Sequence, residues 1–263
     1  MTTATPRNLT HIETVLYGAT GVLVFLGVWS GLSISGLVPP QFLPSPLAVG
    51  ERFTDLFTAP FAGATLPAHL TSSALRFAYG FVLGAVIGIP LGLLMGWFRV
   101  LDEIVSPVFD ALRFIAPIAW VPFAALWFGT GIGGPILIIF AGAFPPCLIN
   151  AYRGARFVNR SLIEAAQMLG TPSYRIILEV LLPASTASIV AGLRISAGLG
   201  WQSLIGAELI VASTGVGFMM VQAQLNISTS TVMSAMLAIG LVGLVIDITL
   251  RALEAAVRRR GLA

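Results

Sequence analysis

Long apolar stretches alternate with shorter polar ones along most of the chain. About 20 residues of α-helix cross the hydrocarbon layer of a membrane, so each stretch of that order is a candidate span. The third stretch contains Pro107, Pro117 and Pro122, and we expect a broken element there rather than one straight helix. The pattern therefore predicts an all-α, polytopic transmembrane bundle of about six helices. The predicted spans are residues 15–38, 73–97, 104–128, 135–151, 185–211 and 230–250.

The segments outside the spans divide the chain further. Residues 1–14 form a polar terminus, and residues 39–72 form a proline-rich connection. Few basic residues precede the first span and its apolar run is long, so we expect a retained helix rather than a cleaved signal peptide. Residues 73–251 form the transmembrane core, which includes a polar segment at 153–184, and residues 252–263 form a basic terminus.

Composition supports the membrane assignment and limits what the chain can bind. Hydrophobic residues make up 57% of the sequence and charged residues 10%, far from the values of soluble domains. All 14 basic residues are arginine, whereas the usual P-loop holds its phosphates with a lysine. If ATP powers this protein, another chain must bind it.

Arginine is distributed unevenly between the two sides of the predicted bundle. Cytoplasmic loops of membrane proteins carry an excess of basic residues. With the N-terminus inside, only Arg52 falls in an external loop, so residues 39–72 are predicted to be external and both termini and residues 153–184 cytoplasmic. The cytoplasmic arginines are then Arg7, Arg99, Arg153, Arg156, Arg160, Arg175, Arg251, Arg258, Arg259 and Arg260.

Small residues recur every four positions in two of the spans. Residues four apart lie on one face of a helix, and small residues there let two helix backbones approach closely in lipid. We therefore interpret both stripes as helix-packing faces, with a pore-lining role for the first stripe as the alternative. The stripes are Gly80, Gly84, Gly88, Gly92 and Gly96 in the second span, and Gly192, Ser196 and Gly200 in the fifth.

The polar segment Ser161–Pro183 carries signals for a helix, a sharp corner and a second helix. Ser161 followed by Glu164 predicts a capping box, and Ala165 and Ala166 keep one face small. Gly170 stands where a left-handed helix stop is needed. Thr171 is a candidate cap for the next helix, with Pro172 at its first position. An ordinary helix corner in a loop would show the same signals.

The same segment resembles the EAA motif of bacterial ABC importer permeases of the binding-protein-dependent, type I family. The matching residues are Glu164-Ala165-Ala166, Gly170 and Leu182-Pro183, with Val180 where the family has isoleucine. The resemblance extends to the sulfonate/nitrate/taurine branch, over about residues 40 to 250. It rests there on Phe42 to Pro46, His69, Arg76, Gly80, Ala119 to Pro122, Phe128-Gly129, Phe144-Pro145, Ala207-Glu208 and Gly215 to Gly217.

The resemblance implies a function and a set of partners. It implies that residues 153–184 hold a cytoplasmic coupling helix that docks on an ATP-hydrolysing subunit and drives alternating access. It further implies a bacterial inner-membrane location, a small anionic solute, and ATP and magnesium bound on the partner subunit. The implied partners are a second copy of the chain, two ATP-binding subunits, an external solute-binding protein and membrane lipid. The implied docking residues are Ser161, Glu164, Ala165, Ala166, Gly170, Thr171 and Pro172.

Ionisable residues in or at the edge of the spans are candidates for the translocation path. An unpaired charge is costly in a membrane, so such residues form pairs, face a cavity or lie at an interface. The path candidates are Arg76, Arg113, Arg194 and Glu208. Ion pairs between helices, for example between Arg194 and an acid of another span, are the structural alternative.

Other classes of function find less support in the sequence. An ion-driven secondary transporter without an ATPase partner remains the alternative, although we see no inverted repeat of the kind common in such proteins. His11 and His69 form no helical zinc pair, so no metal site is predicted, and we predict neither a catalytic site nor binding of nucleic acid. The sequence therefore favours a transport subunit over an enzyme.

Overall fold

The computed structural model describes residues 11–129 and 131–259, and helices account for most of them. Parts of the predicted polar N-terminus and basic C-terminus, including Arg7 and Arg260, lie outside these ranges. The α-helices are α1 (His11–Ile34), α2 (Pro46–Asp55), α3 (Leu66–Trp97), α4 (Arg99–Leu112), α5 (Val121–Phe128), α6 (Gly133–Arg156), α7 (Arg160–Met168), α8 (Ser173–Arg175), α9 (Leu182–Ile210), α10 (Val216–Leu225) and α11 (Thr229–Arg259). A 3₁₀ helix, Pro117–Trp120, precedes α5, and a π-helical segment, Ile176–Leu181, joins α8 to α9.

The number of spans agrees with the sequence. Among the described residues, five helical stretches are long and apolar enough to cross a membrane, and a sixth candidate is a broken one. That sixth candidate is α4 followed by the 3₁₀ helix and α5, which meet at 86°. Ala116, before Pro117, has an extended backbone with ψ 138°, the conformation that a following proline favours. The prediction of an all-α bundle with a broken third element is confirmed.

Helix α3 begins well before the predicted span, at Leu66 instead of residue 73. The second helix of the corner, which the sequence predicted to run into the fifth span, starts at Ser173 and continues into α9. The first turns of α3 contain His69, Ser73 and Arg76, which are polar but buried against other elements. A pattern that equates polar residues with loops stops at them, although partners inside the protein satisfy their polar groups.

The centre of the bundle is α6, which packs between α3 and α9. The glycine stripe of α3 faces α6 along its length: a Cβ on Gly80 would lie 2.6 Å from Ile139, and one on Gly92 would collide with the carbonyl of Leu148. On the other side of α6, the Ser196 hydroxyl of α9 donates to the Ala143 carbonyl at 2.7 Å. Because both contacts bring backbones together, α3, α6 and α9 form one tightly packed layer.

Helix α1 forms hydrogen bonds near its C-terminal end to the segment that precedes α2. The Trp29 indole donates to the Pro44 carbonyl at 3.0 Å, and the Ser33 hydroxyl donates to the Leu43 carbonyl at 3.0 Å. Most of its described side chains are exposed, and they are apolar. This exposure suits a helix whose surroundings are lipid.

Candidate functional sites: a helical corner and an arginine-lined cavity

The first helix of the predicted corner is capped two residues earlier than expected. Asn159, and not Ser161, caps α7: its side-chain oxygen accepts the amide hydrogen of Ser161 at 3.1 Å and the Ser161 hydroxyl at 2.7 Å. The predicted capping box of Ser161 and Glu164 is therefore wrong. Asparagine is as good a cap as serine, and Ser161 consequently lies inside the helix while Glu164 is exposed on its surface.

Helix α7 ends in a Schellman motif built around Gly170. This glycine has φ +73°, its amide donates to the Gln167 carbonyl at 2.9 Å, and the Thr171 amide donates to the Ala166 carbonyl at 3.1 Å. A Cβ on Gly170 would meet no atom within 4 Å, so backbone conformation and not space calls for glycine here.

The second helix of the corner starts differently from the prediction. Pro172 has an extended backbone (φ −70°, ψ 149°) and occupies the cap position, so the helix begins at Ser173. Thr171 is therefore not the cap, and Pro172 is not the first helical residue. Its fixed φ suits either position, and its ψ decides between them. From Ser173 the chain remains helical through the π-helical segment to the end of α9 at Ile210.

The outer surface of the corner carries exposed apolar side chains. Met168 and Leu169 are 88% and 86% exposed, and Leu162 and Tyr174 are also largely exposed. Ile163, on the inner face of α7, packs instead against the buried cluster that contains Leu181. An exposed apolar patch on an otherwise polar helix is typical of a protein interaction site.

A cavity of about 600 Å³ opens between the turn after α4 and the facing sides of α6 and α9. Its charged lining residues are Arg113 and Arg153, and Asn150, Gln202 and Ser203 add uncharged polar groups. Arg113 forms an ion pair with Asp110 at 2.9 Å through Nε. Arg153 makes no ion pair with any residue that the structure describes. The lining therefore carries positive charge and, within the described residues, no acid.

Sequence reasoning identified only one of these cavity residues as a path candidate. Arg153 was predicted to be one of the cytoplasmic arginines, because it follows the end of the predicted fourth span. Two signals could have found the others. Asn150 and Arg153 are three apart on one helix and therefore share a face, and Gln202 and Ser203 are adjacent polar residues within an apolar span.

Arg76 and Glu208, two of the path candidates, form a buried ion pair away from this cavity. Arg76 Nη1 lies 2.9 Å from Glu208 Oε1, and the two side chains are 6% and 0% exposed. The Ser73 hydroxyl donates to the same carboxylate at 2.8 Å, and the Arg76 guanidinium also donates to the carbonyl and hydroxyl oxygens of Thr214. The structure thus shows the ion-pair alternative for these two residues.

The same network caps the N-terminus of α10. Three successive backbone amides there donate to side chains of α3 and α9, which satisfies the first amides of the helix. The acceptors are His69 Nδ1 for Gly215 at 3.2 Å, Ser73 Oγ for Val216 at 3.0 Å and Glu208 Oε2 for Gly217 at 3.0 Å. Gly215 has φ +112°, and a Cβ there would collide with the Glu208 carboxylate. The network therefore fixes the α9–α10 loop to α3.

Arg194, the remaining path candidate, also forms ion pairs outside the arginine-lined cavity. Its Nε lies 2.8 Å from Asp247 Oδ1 and its Nη1 3.5 Å from Glu254 Oε2, both on α11. Arg251 shares Asp247 at 2.7 Å. Of the four predicted path residues, only Arg113 lines the 600 Å³ cavity.

Comparison with known proteins identifies the family. Residues 88–260, more than half of the chain, match the family model of the binding-protein-dependent transport system inner membrane component. The chain belongs to this family. It is a permease subunit of an ABC importer and a multi-pass protein of the inner membrane, as the EAA-type resemblance implied.

The permease is similar to relatives that are named for different solutes. It is 34% identical to the taurine transport system permease protein TauC of Escherichia coli over 88% of this chain and 84% of that protein. It is 34% identical to the putative aliphatic sulfonates transport permease protein SsuC of Bacillus subtilis, over 88% and 82%. It is 35% identical to the bicarbonate transport system permease protein CmpB of Synechococcus elongatus, over 90% and 87%.

A solved structure shares the fold of this permease. An inward-facing conformation of the MetNI methionine ABC transporter matches with a TM-score of 0.65 and 20% sequence identity, over 73% of this chain and 95% of that one. At this level of identity the likeness concerns the fold, and it agrees with the helical bundle described above.

Proposed function

We propose that this permease forms the translocation path of an ATP-driven importer and couples that path to a separate ATPase by alternating access. One observation carries the proposal: a continuous helical run from Ser173 to Ile210 connects the exposed corner to the cavity. The corner lies at its start, and Gln202 and Ser203 near its far end line the cavity. A displacement of the corner is therefore transmitted along a helix to the cavity wall.

The proposed solute is a small anion. The cavity presents the positive charges of Arg113 and Arg153 together with three uncharged polar side chains. A cleft lined by one sign of charge raises the local concentration of ions of the opposite sign. The names of the relatives, which include taurine, aliphatic sulfonates and bicarbonate, support a solute of this class.

The proposed assembly contains two copies of the permease, two ATP-binding subunits and an external solute-binding protein, surrounded by membrane lipid. ATP and magnesium would bind on the ATPase subunits, because this chain has no lysine to build a P-loop. Both termini and the corner would face the cytoplasm, since the arginine distribution favours that orientation. The docking surface would be the exposed apolar side of α7 and α8, including Met168 and Leu169.

Co-purification with a co-expressed ATPase subunit tests the docking proposal. The variant Met168→Glu/Leu169→Glu places two charges in the exposed apolar patch, and Leu225→Glu, 71% exposed at the end of α10, is the control. We expect the ATPase to remain with the unchanged chain and with Leu225→Glu but to be lost from the double variant. Equal retention by all three chains would contradict docking at this corner. If a folded, unchanged chain retains no ATPase yet drives uptake under an ion gradient, the secondary transporter is the better proposal.

A further inference from the structure

A second cavity, of about 300 Å³, lies beside the first between α4 and α6. Its walls are aliphatic and aromatic side chains, including Val108, Phe109, Phe140 and Trp120. Arg113 is the one charged residue that lines it among the described residues. We refer to this cavity as the apolar chamber.

The apolar chamber adjoins the arginine-lined cavity. Arg113, Ile115, Ala141 and Pro145 line both. Among the described residues, Arg113 forms an ion pair with one acid, Asp110, through Nε, and its two terminal nitrogens carry four further N–H donors. The Arg113 guanidinium therefore lies where the arginine-lined cavity meets the apolar chamber.

Such a chamber suits a hydrocarbon group better than water. The chamber is open on one side, since Val108 and Leu112 in its wall are 61% and 47% exposed. A water held there would need two to four polar partners, and the chamber walls offer almost none apart from Arg113. An apolar group entering from the adjoining cavity would gain contact with the walls without desolvating any polar group.

We infer that the apolar chamber binds the hydrocarbon tail of a small organic anion whose charged head is held by Arg113. The inference rests on the proposed translocation path and specifies its solute as an anion with a short apolar tail. A sulfonate or carboxylate head accepts two N–H bonds from a guanidinium, which fixes its orientation with the tail pointing away. Inorganic anions such as nitrate would bind at Arg113 without any contribution from the chamber.

Binding of an alkanesulfonate series measures the contribution of the chamber. The probes are methane-, butane- and hexanesulfonate with nitrate as the reference, and the full chain is placed in phosphatidylcholine nanodiscs so that no detergent competes for the chamber. Trp120 lines the chamber, so its fluorescence reports tail entry, and Trp120→Phe identifies its signal among the five tryptophans. We expect affinity to increase about fourfold with each added methylene.

Two substitutions separate the tail from the head, each with a matched control. Val108→Trp fills the chamber and should abolish the dependence on chain length, while Val100→Trp, also exposed on α4 but outside the chamber, should preserve it. Arg113→Gln should weaken all the sulfonates by a similar factor and keep the dependence on chain length. Arg99→Gln, whose partner Glu103 is on the surface, should change neither.

Three outcomes would overturn the inference. The first is equal affinity for methane- and hexanesulfonate, and the second is an undiminished chain-length dependence in Val108→Trp. The third is a tightly bound lipid, detected by native mass spectrometry in the unchanged chain and absent from Val108→Trp, because lipid would then occupy the chamber. The proposed function fails separately, if the ATPase does not co-purify or if methanesulfonate and nitrate do not bind at all.

Discussion

At the scale of single residues, the most constrained group is the Arg76–Glu208 pair. The carboxylate receives hydrogen bonds from Ser73, Arg76 and the Gly217 amide, and both charged side chains are almost completely buried. Because Arg76 and Glu208 are charged residues in apolar spans, the sequence predicted that each would form an ion pair or line a cavity. The sequence could not identify the partners, because α3 and α9 are joined by more than a hundred residues and their contact depends on packing.

Removal of one partner of this pair should destabilise the permease more than neutralisation of both. Arg76→Met leaves a buried carboxylate without its counter-ion, which typically costs about 3–5 kcal/mol. Adding Glu208→Gln removes that buried charge, so the double variant should recover part of the loss. The thermal midpoint of the purified chain measures both effects. A double variant no more stable than Arg76→Met alone would contradict this expectation, because the unpaired carboxylate would then not be the source of the loss.

At the scale of elements, sequence signals located the helices better than their ends. The proline-broken third span and the number of spans were predictable, because proline removes a backbone donor and restricts the residue before it. The residues at which the helices start were not predictable. Asn159 and Ser161 are both chemically suitable to cap the N-terminus of α7, so the sequence alone does not decide between them. Only the backbone conformation of Pro172 shows where the second helix of the corner begins.

Gly170→Val should uncouple transport while leaving the bundle folded. A residue with a side chain at φ +73° costs about 1–2 kcal/mol, and the chain would relieve this strain by reorienting the corner rather than the buried helices. Gly198→Val is the control, since a Cβ there meets no atom within 4 Å and the helix is regular. We expect ATP-driven uptake to fall sharply only in Gly170→Val, with similar thermal midpoints for both. Normal uptake in that variant would contradict a lever role for the corner.

At the scale of the whole molecule, the sequence predicted the class of fold but not its cavities. The repeat of glycines marked a packing face on α3, and the structure shows α6 as the helix it meets. The arginine-lined cavity is formed by a turn and two helices that are distant in sequence. Arg153 and Ser203 therefore have no local pattern that connects them. The arrangement of faces, and with it the candidate path, emerges only when the helices are packed.

The central claim is that ATP bound by a partner changes access to the cavity, and cysteine labelling tests it most directly. Ser203→Cys in a Cys147→Ala background places the sole thiol in the cavity wall, because Cys147 is the chain's single cysteine. Ala255→Cys in the same background, exposed on α11, is the control on the same proposed side of the membrane.

The complex with its ATPase is labelled in vesicles with a membrane-impermeant maleimide on the cytoplasmic side. We predict that the thiol of the Ser203→Cys variant reacts without nucleotide and is protected after ATP and vanadate are added, which together trap ADP and vanadate on the ATPase. The thiol of the Ala255→Cys variant should react equally in both states. Equal reactivity of the Ser203→Cys variant with and without trapped nucleotide would contradict alternating access through this cavity.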